Sequence, residues 1–174
     1  MPVPRYLQRD TWKQQIGQQI MTQQEITATT AADIPALQSV LATTGLFPAA
    51  MLPDMLAPAL SGATSDIWLS HHVDGAAIGF CYTRAEEMTE GVWNMVALAV
   101  HPSHQGKGTG AALVAATEQR LRDIGARLLI VDTSGTEAFE ATRRFYRHNG
   151  YEEEGRIRDF WAAGDDKVIF RKPL

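Results

Sequence analysis

Val96 to Leu121 reads VALAVHPSHQGKGTGAALVAATEQRL, and this stretch decides the fold. Val96 to Val100 are uniformly small or apolar, as expected of a strand covered on both faces. From Thr109 the pattern turns helical, with Leu113, Thr117, Leu121 and Ile124 on one stripe and Gly125 as a left-handed stop. A second apolar strand, RLLIVDTS, runs from Arg127 to Ser134. Strand, helix, strand in that order predicts a right-handed crossover and parallel pairing of the two strands. The bend before the helix, with Gly106, Gly108 and Gly110, has a chemistry of its own. The first-turn amides of a helix find no acceptor inside it. Glycines clear side chains from around those amides and permit positive φ, so successive N–H groups converge on an anion at the positive end of the helix dipole. Lys107 adds a cation at the rim. A glycine-rich bend by itself is otherwise only a tight connection.

Working outward, EITATT (Glu25 to Thr30) has the alternation of a strand. Thr30 or Asp33 is placed to cap a helix through DIPALQSVLATTG, with Pro35 in its first turn and Gly45 at its stop. AAMLPDMLAPAL reads as a helical piece broken up by Pro53 and Pro58. DIWLSHHVDGAAIGFCYTRAE reads as two strands about an Asp74-Gly75 turn, a strong hairpin signal. GVWNMVALAV becomes a central strand, TEAFEATRRFYRHNG a second helix, and YEEEGRIRDFW with KVIFRK a closing antiparallel pair around AAGDD. The fold class is therefore α/β (α+β): a mixed, mostly antiparallel sheet of six to seven strands with helices on both faces. Residues 1–24 stand apart, glutamine-rich with Trp12, Ile16 and Ile20 spaced four apart. They read as an N-terminal arm or helical extension ahead of a single domain over 25–174.

Composition narrows the function. The chain has 174 residues and a formal net charge of -4, which disfavours sequence-independent nucleic-acid binding but leaves room for a local basic cleft around one anionic ligand. Cys81 is the single cysteine, so neither an internal disulfide nor a multi-cysteine metal site can form. With no long apolar run and no apolar signal core, the expectation is a cytoplasmic protein with no membrane partner.

Two common glycine motifs fail here. GxxxxGK[ST] lacks its Lys-Ser or Lys-Thr pair, and GxGxxG is replaced by GxGxG on a strand that comes late, after a hairpin. What remains is Q-x-x-G-x-G from Gln105 to Gly110, behind VHP. With EATRRFYRHNGY (Glu140 to Tyr151), this pattern resembles the GNAT superfamily of acyl-CoA N-acyltransferases, and the order of elements from Ile26 onward resembles it as well. The resemblance implies acetyl-CoA as cosubstrate; from the residues themselves no metal is expected. It implies that Gln105, Gly106, Lys107, Gly108, Thr109 and Gly110 hold the coenzyme A pyrophosphate. It implies that Leu98 and Val100, on a strand splayed from its neighbour, pair with the pantetheine arm. It places Tyr146 where the family carries a tyrosine, a phenol that stays protonated at neutral pH and donates to the departing thiolate.

The sequence also departs from the family pattern. Asn94 stands where some members carry a glutamate base, and an amide takes no proton. Glu86, Glu87 and Glu90 before that strand, or His101 after it, are the alternatives, along with an amine that arrives neutral. Phe139 stands where many relatives have an asparagine that helps hold the cofactor arm. His71 and His72 adjoin on a strand and point to opposite faces, so they make no joint metal site. Asp165-Asp166 most simply end a hairpin, although carboxylates in that part of the chain favour a cationic amine. The expected function is transfer of an acetyl group to a primary amine by direct attack in a ternary complex. The alternative is an acyl-CoA-binding or sensing module with little turnover. The acceptor is a small-molecule or peptide amine, its pocket expected between Phe47–Leu60 and Arg156–Trp161. The arm and an unpaired sheet edge are compatible with a homodimer.

Overall fold

The computed structural model describes residues 24–174, so the helix expected around Trp12, Ile16 and Ile20 lies outside the described residues. In chain order the elements are β1 (Gln24–Ala28), α1 (Ile34–Thr44), α2 (Leu52–Leu60), β2 (Ile67–Val73), β3 (Ala76–Ala85), β4 (Val92–Val100), α3 (Thr109–Asp123), β5 (Leu128–Ser134), α4 (Glu140–His148), β6 (Glu152–Ala162) and β7 (Asp165–Pro173). They build one seven-stranded sheet of order β1-β2-β3-β4-β5-β7-β6. β4 and β5 run parallel, as the strand–helix–strand order requires, and the other pairs are antiparallel.

Local chemistry sets most boundaries. Asp74 and Gly75 both have positive φ, 50° and 81°, the backbone a two-residue turn needs if its twist is to match the flanking strands. α1 carries Pro35 in its first turn and stops at Gly45, whose N–H donates to Leu41 O at 2.8 Å. α2 departs from expectation, since its prolines bracket the helix and do not break it. Pro53 lies in the first turn, where no amide is missed, and Pro58 falls in the last turn, where only one intrahelical bond is lost. Ile124 also departs from the expected stripe. It lies past the end of α3 and is half-exposed, while Leu113, Thr117 and Leu121 are fully buried.

Each face of the sheet has its own core. α1 and α2 bury Leu37, Leu41, Leu52 and Leu56 against Trp68, Phe80 and Tyr82. α3 and α4 bury Leu113, Val114, Leu121 and Tyr146 against Trp93, Met95, Leu129 and Phe170. A fully buried side chain of this size contributes about 1.5–3 kcal/mol. β4 serves both cores through a bulge. Tyr82 pairs with Ala97 but Thr83 pairs with Met95, which leaves Val96 as an extra residue. The side-chain parity shifts there: Met95 and Val100 join the α3/α4 core, with Leu98 packed against it, while Ala97 and Ala99 face α1 and α2.

Two polar clusters tie the layers together. Glu118 on α3 is buried and accepts from Tyr151 Oη at 3.0 Å and from Lys172 Nζ at 2.8 Å, and the same Nζ donates to Asn149 O at 2.8 Å. That carboxylate fastens α3 to β7 and to the corner after α4. Asp33, at the start of α1, accepts from His72 Nε2 at 2.8 Å and from the Thr30 amide at 2.7 Å. Burial raises the Asp33 pKa, but the bonds from His72 and Thr30 outweigh it and hold the carboxyl below its ordinary range. A carboxylate with a lowered folded pKa stabilises the native state above its unfolded pKa, and that contribution fades as pH falls through the folded value. Asp33→Ala is therefore expected to cost about 1 kcal/mol at pH 7. Urea denaturation of both proteins at pH 7 and near pH 3 checks this, with the gap between them narrowing in acid.

Candidate active site

β4 and β5 begin as neighbours and then separate. Their pairing covers only Val92, Trp93 and Asn94 against Leu128, Leu129 and Ile130. From Val131 to Ser134, β5 keeps its pairing to β7 on the other side but has none to β4. Arg143 on α4 holds the parted end of β5: its Nη1 donates to Ser134 O at 2.6 Å and to Thr136 O at 2.7 Å, and the side chain is buried.

A cleft of about 760 Å³ opens on the α3/α4 side of this gap. Of the residues expected to bind cofactor, Leu98, Val100, Gln105, Gly106, Gly108 and Gly110 line it, and so does Tyr146. Lys107 and Thr109 do not. They border a smaller cavity of about 180 Å³ with His71 and His104, and Lys107 Nζ donates to Ser103 O at 2.9 Å. Gln105 supports the turn: its Nε2 donates to Val100 O at 2.8 Å, drawing the loop back onto the strand end. His101 shapes the same turn by accepting from the Ser103 amide at 3.3 Å. The sequence did not assign Ala111, Ala141, Thr142, Phe145, His148 or Asn149 to the site, and they complete the wall. The two from Thr142 to Phe145 follow from the helical spacing that also carries Tyr146 into the cleft.

The loop's amides decide what the cleft can hold. Among the described residues, the N–H groups of Gly106, Lys107, Gly108, Thr109, Gly110 and Ala111 have no acceptor; the first to find one is Ala112, which donates to Gly108 O at 2.9 Å. α3 has no side-chain cap, because its N-cap is Gly108 in a left-handed conformation. Gly106 and Gly108 have φ of 70° and 85°, and a Cβ on either would point into open space. A row of donors bared in this way at a helix start fits a diphosphate.

Tyr146 sits where the cleft meets a second cavity. That cavity, of about 360 Å³, lies between Val96 and Leu98 on β4, Asp132 to Ser134 on β5, Phe139 and Trp161, and it shares Leu98, Thr142 and Tyr146 with the cleft. Tyr146 is held by ring contacts with Phe145, Tyr151 and Phe170 at centroid distances of 5.4, 5.6 and 5.7 Å. Burial, with a smaller effect from Cys81, pushes its phenol pKa well above the ordinary value.

Other expected residues lie elsewhere. Asn94 Nδ2 donates to Glu86 Oε1 at 2.7 Å, and neither residue lines either cavity. Phe139 belongs to the second cavity and not to the larger cleft. Phe47 packs edge-on against Phe80 in the core, so of the expected acceptor region Trp161 is the residue that reaches the cavity. His72 is bound to Asp33 while His71 faces the small cavity, and among the described residues no group of three or more His, Cys, Asp or Glu is placed to hold a metal. No helix among those residues is long and apolar enough to cross a membrane.

A mixed sheet with parting central strands and a bare amide loop over the gap defines an acyl-CoA transferase architecture. Residues 64–153 match the acetyltransferase (GNAT) domain family. The aminoglycoside N(6')-acetyltransferase type 1 of Stenotrophomonas maltophilia is 32% identical over 137 residues, 75% of this chain and 82% of that protein. A solved protein assigned to the GNAT acetyltransferases from Desulfovibrio desulfuricans superposes with a TM-score of 0.79 at 28% identity, over 87% of this chain and 99% of that one. An aminoglycoside 6'-N-acetyltransferase complexed with coenzyme A shares the fold, with a TM-score of 0.70 at 16% identity over 86% and 96% of the two chains. The chain belongs to the GNAT acetyltransferases.

The amide cradle has a direct test. Gly108→Val puts a β-branched side chain at a φ of 85°, a conformation such residues resist, and so disturbs the turn that aligns the donors. Titration calorimetry with coenzyme A is expected to show at least about tenfold weaker binding, equal to ~1.4 kcal/mol, with far-UV circular dichroism unchanged.

Proposed function

We propose that this acetyltransferase moves the acetyl group of acetyl-CoA directly onto a primary amine, with both substrates bound together and no covalent enzyme intermediate. The observation that carries this reading is the junction of two cavities at Leu98, Thr142 and Tyr146. One cavity has a row of free amides suited to a diphosphate, and the other leaves room for an acceptor within reach of the same tyrosine.

When bound, acetyl-CoA supplies a thioester activated toward attack by nitrogen. The residues around it have separable tasks. The amides of Gly106, Gly108, Gly110 and Ala111 would hold the diphosphate, and the free edge of β4 from Leu98 to Val100 would bind the arm by main-chain pairing. A backbone N–H on that edge would donate to the acetyl carbonyl oxygen as negative charge grows there. Tyr146 would give its phenolic proton to the leaving sulfur, and the proton lost by the amine nitrogen would restore the phenol through solvent. Direct attack is favoured by Cys81, the chain's single cysteine. It lies in the core outside both cavities, with its thiol pKa pushed up to about 12 by burial, so it offers no thiolate at neutral pH. Asn94 is engaged with Glu86 and is not the base. The acceptor amine would therefore react from its neutral fraction.

Tyr146→Phe is the test of the proton donor. Turnover is expected to fall about a hundredfold, with the dissociation constant of acetyl-CoA close to wild type. Because burial raises the phenol's pKa, wild-type turnover is expected to show no loss from tyrosine ionisation up to pH 10. An unchanged rate in the phenylalanine variant across that range removes the role.

A further inference from the structure

The geometry points to a particular class of acceptor: a primary monoamine whose nitrogen is carried on an apolar or aromatic body, as opposed to a polyhydroxylated polycation. This inference rests on the N-acetyltransferase reading and narrows it.

Leu46, Val96, Phe139 and Trp161 all line the cavity beside Tyr146, and each is between 42% and 51% exposed. They come from four separate parts of the chain: the turn after α1, the bulge in β4, the start of α4 and the end of β6. Large apolar side chains gathered around one concave site, with water against them, gain stability when an apolar surface covers them. An acceptor with an aliphatic or aryl body supplies that surface; a sugar face lined with hydroxyls does not.

Charge points the same way. Among the described residues, Asp132 and Asp165 are the carboxylates lining this cavity. Asp132 is paired with Lys167 Nζ at 3.0 Å, which balances its charge. Asp165 accepts a hydrogen bond from Ser134 Oγ at 2.6 Å, a neutral donor that leaves its charge uncompensated. The site thus offers one net negative charge, enough for one ammonium. A second or third ammonium would lie against Trp161 or Leu46 with no counter-charge, at a desolvation cost. The 32% identical relative is named for aminoglycosides, and the wall of this cavity separates the present chain from that acceptor class.

The test compares phenethylamine, tryptamine, spermidine and kanamycin as acceptors for the full chain with saturating acetyl-CoA, reading free thiol and confirming the acetylated amine by mass. The expected result is a kcat/KM for the aryl monoamines at least about tenfold above those for spermidine and kanamycin. Trp161→Ala, a half-exposed position, is expected to raise the KM for tryptamine about tenfold while leaving the KM for acetyl-CoA unchanged. Asp165→Asn is expected to raise the KM for tryptamine as well. A preference for kanamycin or spermidine, or a tryptamine KM indifferent to Trp161→Ala, overturns the inference while leaving the transferase reading intact. Acetyl-CoA binding by calorimetry with no acetylated product from any of the four amines counts against both.

Discussion

The structure depends on the parting of two parallel strands. β4 and β5 share three residue pairs and then diverge, so the edge of β4 from Met95 onward faces a gap. An unpaired strand edge inside a sheet leaves main-chain donors and acceptors unsatisfied, which is unfavourable unless water or a ligand meets them. Two features keep the gap open. The bulge at Val96 turns Leu98 and Val100 toward α3 and α4, and Arg143 binds the carbonyls at the far end of β5 from the α4 side. Because the gap lies at the middle of the sheet, it is open to both cavities at once, and Tyr146 stands at their junction.

The second element is a helix that begins without a cap of its own. Most helices satisfy a first-turn amide with a Ser, Thr, Asp or Asn side chain; α3 begins at a left-handed glycine and leaves its donors free. Gln105 and Lys107 contribute differently from what their charge or polarity suggests, since both donate to nearby carbonyls and stiffen the turn. A loop already held in shape loses little conformational freedom when an anion arrives, and this favours binding as much as any single contact does. The buried Glu118 network extends the support outward, joining α3 to β7 and to the corner behind Tyr146 through Tyr151.

Much of this could be read along the chain. The Asp74-Gly75 hairpin, the stop at Gly45, the strand–helix–strand unit and the glycine loop were all readable because each rests on contacts within a few residues. Tyr146 was placed by a short motif and by its spacing on α4. The misreadings have equally local causes. Pro58 looked like a helix breaker, yet a proline in a last turn costs only one bond. Ile124 continued a numerical stripe past the point where the helix had ended. Phe139, read as the loss of a contact made by an asparagine in many relatives, is indeed absent from the larger cleft, and what the sequence did not show is that it lines a different cavity.

The sequence by itself determined the class of fold and the character of the glycine-rich turn with its free amides. Periodicity, turn residues and bare glycines act over distances that the chain order already specifies. Only the tertiary structure decided what lines the cavity beside Tyr146. Leu46, Val96, Phe139 and Trp161 come from segments far apart in the chain, and Asp132 and Asp165 differ in net charge only because Lys167 reaches one and not the other. Side chains that meet from four separate elements leave no pattern in any one of them, so their shared chemistry appears only when the sheet brings them together.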